Sequence, residues 1–169
     1  MLQSTRPSFR ALRAAAVAAL LSVLACADSG PAAAAGPFAA LAGSWSGAGT
    51  VLVNNGANER IRCRATYQVH DAGNSVDLNL RCASDSYNFD LVSNVRSERG
   101  EVSGSWTEAT RNASGTLSGR AEGNQILVSA QGAAFAANFL LVTRGDRQSV
   151  SMRSRGSDIT GVDVALSRR

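Results

Sequence analysis

The stretch from Arg60 to Cys82, RIRCRATYQVHDAGNSVDLNLRC, constrains the fold more than any other part of the chain. Apolar residues alternate with polar ones on both sides of a short polar centre. They are Ile61, Cys63, Ala65, Tyr67 and Val69, then Val76, Leu78, Leu80 and Cys82. A period of two marks strands with one buried face. Asp71-Ala72-Gly73-Asn74 supplies turn chemistry, with a glycine free to take positive φ. Centring the turn on Ala72 and Gly73 sets Val69 opposite Val76, Tyr67 opposite Leu78, Ala65 opposite Leu80 and Cys63 opposite Cys82. One register puts every apolar residue on one face and aligns the cysteines. Directly opposed residues of an antiparallel pair lie within disulfide reach. The alternative is two separate buried thiols.

The N-terminus reads as an export signal over residues 1–27. Arg6, Arg10 and Arg13 form a basic start, and Ala14 to Ala25 form an apolar core too short to span a membrane as a mature helix. Ala25-Cys26-Ala27 and Ala33-Ala34-Ala35 both fit small-residue cleavage sites. Val23-Leu24-Ala25-Cys26 also has the form of a bacterial lipobox, with Cys26 as the lipidated residue. Either way Cys26 leaves the folding problem. Two cysteines remain, which suits an oxidising compartment: the periplasm, or the outer membrane for a lipoprotein of a Gram-negative-type bacterium. Closing their loop stabilises a fold by about 3 kcal/mol on the chain-entropy model.

Residues 28–37 are a small-residue, flexible linker. Residues 38–169 are one domain. Phe38 to Leu41 suits a single helical turn. After it, the period-two pattern continues through about ten segments separated by short turn signals such as Arg99-Gly100, Gly123-Asn124 and Arg144-Gly145. No stretch after the signal holds a period of 3.6, so little helix is expected. Short hairpins make sequence neighbours spatial neighbours, and a meander removes its edges by closing. The expected fold is all-β: an antiparallel up-and-down meander barrel of about ten strands. A two-sheet sandwich is the alternative, and it needs longer crossing connections.

Alternating strand direction predicts which inward residues share an end. Trp45, Val69, Val76, Val95, Val102, Ala121, Ile126, Leu141 and Leu166 make an apolar floor. Cys63, Cys82, Tyr87, Glu108, Phe135 and Ser154 gather at the other end, with Tyr67, Phe89, Trp106, Phe139 and Met152 between. An apolar floor with a mixed-polarity mouth suits a cup for a small, largely apolar ligand. Its expected lining is Tyr67, Tyr87, Phe89, Trp106, Glu108, Phe135 and Met152. Small inward residues such as Gly47, Gly49, Gly104 and Gly119 either leave a cavity or let the walls flatten together, and strand glycines also mark sharp bends. An inward carboxylate needs a partner. Glu108 is expected to pair with a rim arginine, Arg111 or Arg155, or to meet the ligand.

Gly43-x-Trp45-x-Gly47-x-Gly49 resembles the opening strand of calycin-type barrels, the lipocalin, avidin, fatty-acid-binding and nitrobindin families. The resemblance implies a small barrel, often holding an apolar ligand, with the tryptophan at the closed end. Nitrobindin-like members bind haem through a histidine near the C-terminus. Val162 to Arg169 contains none, so no haem and no other cofactor is expected. Leu41-Ala42-Gly43-x-Trp45 with a cysteine pair also resembles secreted bacterial metalloprotease inhibitors, which insert an N-terminal tail into the protease. That resemblance implies a filled-core interaction module with an envelope protein partner, and the extra strands here argue against it.

The net charge of +4 comes from arginine, without one lysine. The basic residues are not concentrated with aromatics, so no nucleic-acid partner is expected. The membrane is expected to be met only through a lipid anchor at Cys26. The only histidine, His70, lies beside a turn, and the two mature cysteines are committed to a bridge. Glu108 lacks an inward carboxylate partner at glycosidase spacing. The chain is therefore expected not to be an enzyme and to hold no metal. Arg64 faces Arg81 in the proposed register, a like-charge pair that must splay or share an anion.

Overall fold

The computed structural model describes residues 35–133 and 135–169. The export signal, Cys26 and residues 28–34 of the linker lie outside the described residues. Ten strands follow one another: β1 (Gly43–Val53), β2 (Asn58–His70), β3 (Ser75–Ala83), β4 (Asn88–Glu98), β5 (Glu101–Glu108), β6 (Ala113–Glu122), β7 (Gln125–Gly132), β8 (Ala136–Arg144), β9 (Arg147–Arg155) and β10 (Ile159–Arg168). Each pairs antiparallel with the next, and β1 pairs with β10, so the sheet closes. The expected all-β meander barrel is the observed fold. Among the described residues, helix is confined to two 3-10 turns, Ala39–Leu41 and Asp71–Gly73.

Alternation carries the wall. On β2, Ile61, Cys63, Ala65 and Tyr67 are buried, whereas Arg60, Arg62, Arg64 and Thr66 are exposed. The hairpin register is the expected one, from His70 opposite Ser75 to Cys63 opposite Cys82. Cys63 and Cys82 form a disulfide, with their Cα atoms 4.1 Å apart. Arg99 and Gly100 both take positive φ between β4 and β5. That is the turn whose twist matches flanking strands.

The stagger of the sheet sets its width. A trail of directly paired residues runs from His70 through Ser75, Arg96, Ser103, Ser118, Ser129, Asn138, Arg153, Gly161 and Leu52. It returns to β2 at Asn58, twelve residues from its start. Ten strands with this stagger tilt by about 40° and enclose a cylinder of about 20 Å between opposite backbones. Side chains just fill an eight-stranded barrel; this one is wider.

One end is plugged. The turn Ala39–Leu41 lies across it with Phe38 and Leu41 buried. Gly36 and Phe38 donate backbone N–H groups to Ala72 and Gly73 carbonyls at 2.8 and 2.9 Å. Trp45 Nε1 donates to the Leu41 carbonyl at 2.7 Å. The Arg168 guanidinium lies 4.3 Å over the Trp45 ring and donates to the Ala40 carbonyl at 2.8 Å and to the Ala42 carbonyl. Gly47 and Gly49 let β10 approach closely. A Cβ on either would lie 1.9 Å from the carbonyl oxygen of Ala165 or Asp163. These two glycines serve close backbone contact rather than an opening.

Candidate functional site

Six of the seven expected lining residues lie toward the unplugged end or the upper half of the barrel. Phe89 is on β4, Trp106 and Glu108 are on β5, and Met152 is on β9. Tyr87 and Phe135 fall in the loops that precede β4 and β8 rather than in the strands. The Tyr87 loop is tied by the Ser84 N–H to the Tyr87 carbonyl at 2.8 Å and by the Tyr87 N–H to Ser84 Oγ at 3.0 Å.

Tyr67 is placed at the opposite end. It pairs with Gly43, the first residue of β1, and is buried in the floor. Its hydroxyl donates to Gln148 Oε1 at 2.9 Å, and Gln148 Nε2 donates to Thr143 Oγ1 at 3.1 Å. This buried chain links β2, β9 and β8. Burial pushes the Tyr67 phenol above its ordinary range, against the smaller effect of Gln148. Gln148 and Thr143 carry inward parity in the sequence, but period alone does not reveal that they bond across the interior.

Glu108 meets its partners in the turn that follows it and on β4. Its carboxylate accepts the Asp90 and Arg111 backbone N–H groups at 2.9 and 2.8 Å and the Thr110 hydroxyl at 2.5 Å. Arg111 Nη1 stands 3.6 Å away, which is the expected rim ion pair. Burial alone would raise this carboxyl. Hydrogen bonds from Thr110, Asp90 and Arg111 outweigh it and hold the group below the usual carboxylate range. The same guanidinium covers the Phe89 ring at 4.6 Å. Arg155, the other candidate partner, is exposed.

The inward-facing side of the wall is apolar. Leu78, Leu80, Leu117, Val128, Phe139 and Val150 face inward and form a belt at mid-height, yet each stays partly accessible. Above the belt, Trp106 packs edge-on to Phe135 with ring centres 5.7 Å apart. Its indole lies across the inward faces of Gly115 and Gly132 on the next two strands. Trp106 Nε1 is buried and has no hydrogen-bond partner among the described residues.

A groove of about 680 Å³ crosses β1, β2, β3 and the start of β4, lined in part by the outward Arg62, Arg64 and Arg81 and by Arg169. Arg64 faces Arg81 as expected, and Arg81 is relieved by Asp90 at 3.2 Å.

A closed ten-stranded meander with a plugged floor, a tryptophan in that floor and an apolar lumen defines a calycin-like barrel. Two solved structures share the architecture. Rv2717c from Mycobacterium tuberculosis superposes with a TM-score of 0.63 at 15% identity, over 78% of this chain and 94% of that one. The S-type phycobiliprotein lyase CPES from Guillardia theta superposes with a TM-score of 0.53 at 13% identity, over 78% and 90%. Neither a family model nor a curated protein sequence matches the chain. The expectation that the chain is not an enzyme is corrected by this likeness: a barrel of the same fold is a lyase. A lone histidine and bridged cysteines exclude particular triads and thiol chemistry, not catalysis by a pocket that binds and orients a reactant.

Proposed function

We propose that this chain is an exported, disulfide-bonded barrel that takes a small, largely apolar ligand through the unplugged mouth into its lumen. The observation that carries this reading is the width of the closed ten-stranded wall around a belt of half-buried inward apolar side chains, from Leu78 on β3 to Val150 on β9. Ten strands at a twelve-residue stagger hold the walls apart, and the floor plug leaves one way in. Tyr87, Phe89 and Phe135 rim that entry, and Met152 and Trp106 lie below it. Glu108 acts as the brace of the mouth: its carboxylate fixes the turn that positions Arg111 over Phe89.

Export is supported by the basic start and short apolar core of residues 1–27, and by the opposed pair Cys63 and Cys82, which an oxidising compartment suits. The destination is the periplasm, or the outer membrane when Cys26 is lipidated. The lyase on a similar barrel leaves chemistry on the bound molecule within the reach of this proposal.

Native mass spectrometry of the exported, mature protein tests the reading, together with titration by 1,6-diphenylhexatriene, an apolar fluorophore. The expected result is a copurified small mass or saturable uptake of the fluorophore with one site. A protein that leaves the cell unliganded and takes up no fluorophore has a filled interior, and the reading fails.

A further inference from the structure

Trp106 Nε1 is the one donor-only side-chain atom among the described residues that is both buried and unpartnered. Buried polar groups without partners are few in native proteins and cost free energy, so each calls for a reason. Ser97 Oγ is the other unpartnered atom, but it lies near the plugged end opposite Val102, and a hydroxyl can rotate. The indole N–H has no such freedom. Its ring is held on three sides, by the bare inward faces of Gly115 and Gly132 and by the edge-on Phe135 ring. The chain's other tryptophan, Trp45, shows the contrast, with its N–H spent on Leu41 at 2.7 Å.

We infer that the lumen takes a neutral, mostly apolar molecule carrying one carbonyl-type oxygen, and that Trp106 Nε1 donates a hydrogen bond to that oxygen. The inference rests on the ligand-binding reading above and adds the chemical class. The belt of leucine, valine and phenylalanine selects an apolar body. The lone donor selects an acceptor. The surrounding charges select neutrality: Glu108 stands two residues away on the same strand, and Arg111, the cation beside it, is already engaged with Glu108 and with the Asn88 carbonyl. An anionic headgroup would enter beside a carboxylate whose neighbouring cation, Arg111, is already engaged, which burial penalises heavily. Phe135, partly accessible in the loop before β8, is the side chain an entering acceptor displaces.

The test uses two probes of one skeleton. 6-Propionyl-2-(dimethylamino)naphthalene carries a ketone, and 2-(dimethylamino)naphthalene lacks it. Each is titrated into the mature wild-type protein and Trp106→Phe, and the two indole N–H resonances of the wild type are followed by NMR. The expected result is that the ketone moves the Trp106 indole proton downfield and leaves Trp45 in place. Trp106→Phe then weakens the ketone by about fivefold to tenfold and the carbonyl-free probe far less. Ketone binding that leaves the Trp106 resonance unmoved, or that survives Trp106→Phe undiminished, overturns the inference while ligand binding stands. If neither probe enters the wild type, the lumen reading falls and takes the inference with it. Should Trp106→Phe fail to fold, the wild-type resonance decides alone.

Discussion

Tyr67 shows what alternation says about a residue and what it leaves out. Period two put it inside the wall, where it is. Its height depends on a stagger accumulated over ten strands, which no local pattern contains, and that stagger carries it to the floor. There its hydroxyl is structural. Tyr67→Phe leaves the Gln148 carbonyl buried without its donor and should cost about 1–3 kcal/mol in urea unfolding. Adding Gln148→Leu removes the stranded group, so the double variant should lose less than the sum of the single changes. Strict additivity would show that the two side chains do not interact. Glu108 makes a second prediction, in pH. Its folded pKa is depressed, so its contribution is full above the ordinary value of 4.5 and fades as pH falls through the lower folded value. Unfolding free energy measured from pH 6 downward should decline more steeply in wild type than in Glu108→Gln. Equal slopes would mean that the turn does not depend on the charged carboxylate. The sequence exposed Glu108 as an inward carboxylate near an arginine, but not the backbone N–H groups that hold it, because those depend on how the turn after β5 folds back over β4.

At the scale of one strand, β1 gathers most of what was readable. Its alternation and its glycines were visible, and so was the likeness of its motif to calycin openings. Whether Gly47 and Gly49 made space or removed it was not visible, because a missing side chain reads the same in both cases. The approach of β10 decides: a Cβ on Gly47 would sit 1.9 Å from the Ala165 carbonyl oxygen. Gly47→Ala must therefore open the seam between the first and last strands. The expected loss is about 1–3 kcal/mol, with amide exchange quickened selectively along β1 and β10. Ala48→Ser, the outward neighbour, should stay within about 0.5 kcal/mol. If Gly47→Ala exchanges no faster at that seam than wild type, close approach is not what the glycine provides. The same strand explains why the floor was partly legible. The motif around Trp45 places it at the closed end, but Arg168, which covers its ring and holds Ala40 and Ala42, comes from the far end of the chain.

For the whole molecule, closure couples every local contact to compartment. A ring of ten strands has no edge to protect, yet it holds only if the β1–β10 seam survives, and the β2–β3 hairpin borders that seam through β1. The bridge between Cys63 and Cys82 spans 19 residues and ties this hairpin near the unplugged half of the barrel. Constraining a loop of that size in the unfolded chain stabilises the fold by about 3 kcal/mol. Cys63→Ser/Cys82→Ser should therefore lose close to that amount in denaturant, with a lower midpoint and a somewhat steeper slope, because the unfolded chain freed of its loop exposes more surface. The exported protein should carry no titratable thiol at either position until it is unfolded and reduced. The same chain made without its first 27 residues in a reducing cytosol should accumulate at lower yield, with both thiols free, and gain stability on oxidation. This comparison separates fold from destination. Equal stability in both redox states would remove the physical reason to place this barrel in an oxidising compartment, while the register that sets the two cysteines opposite each other would still describe its wall.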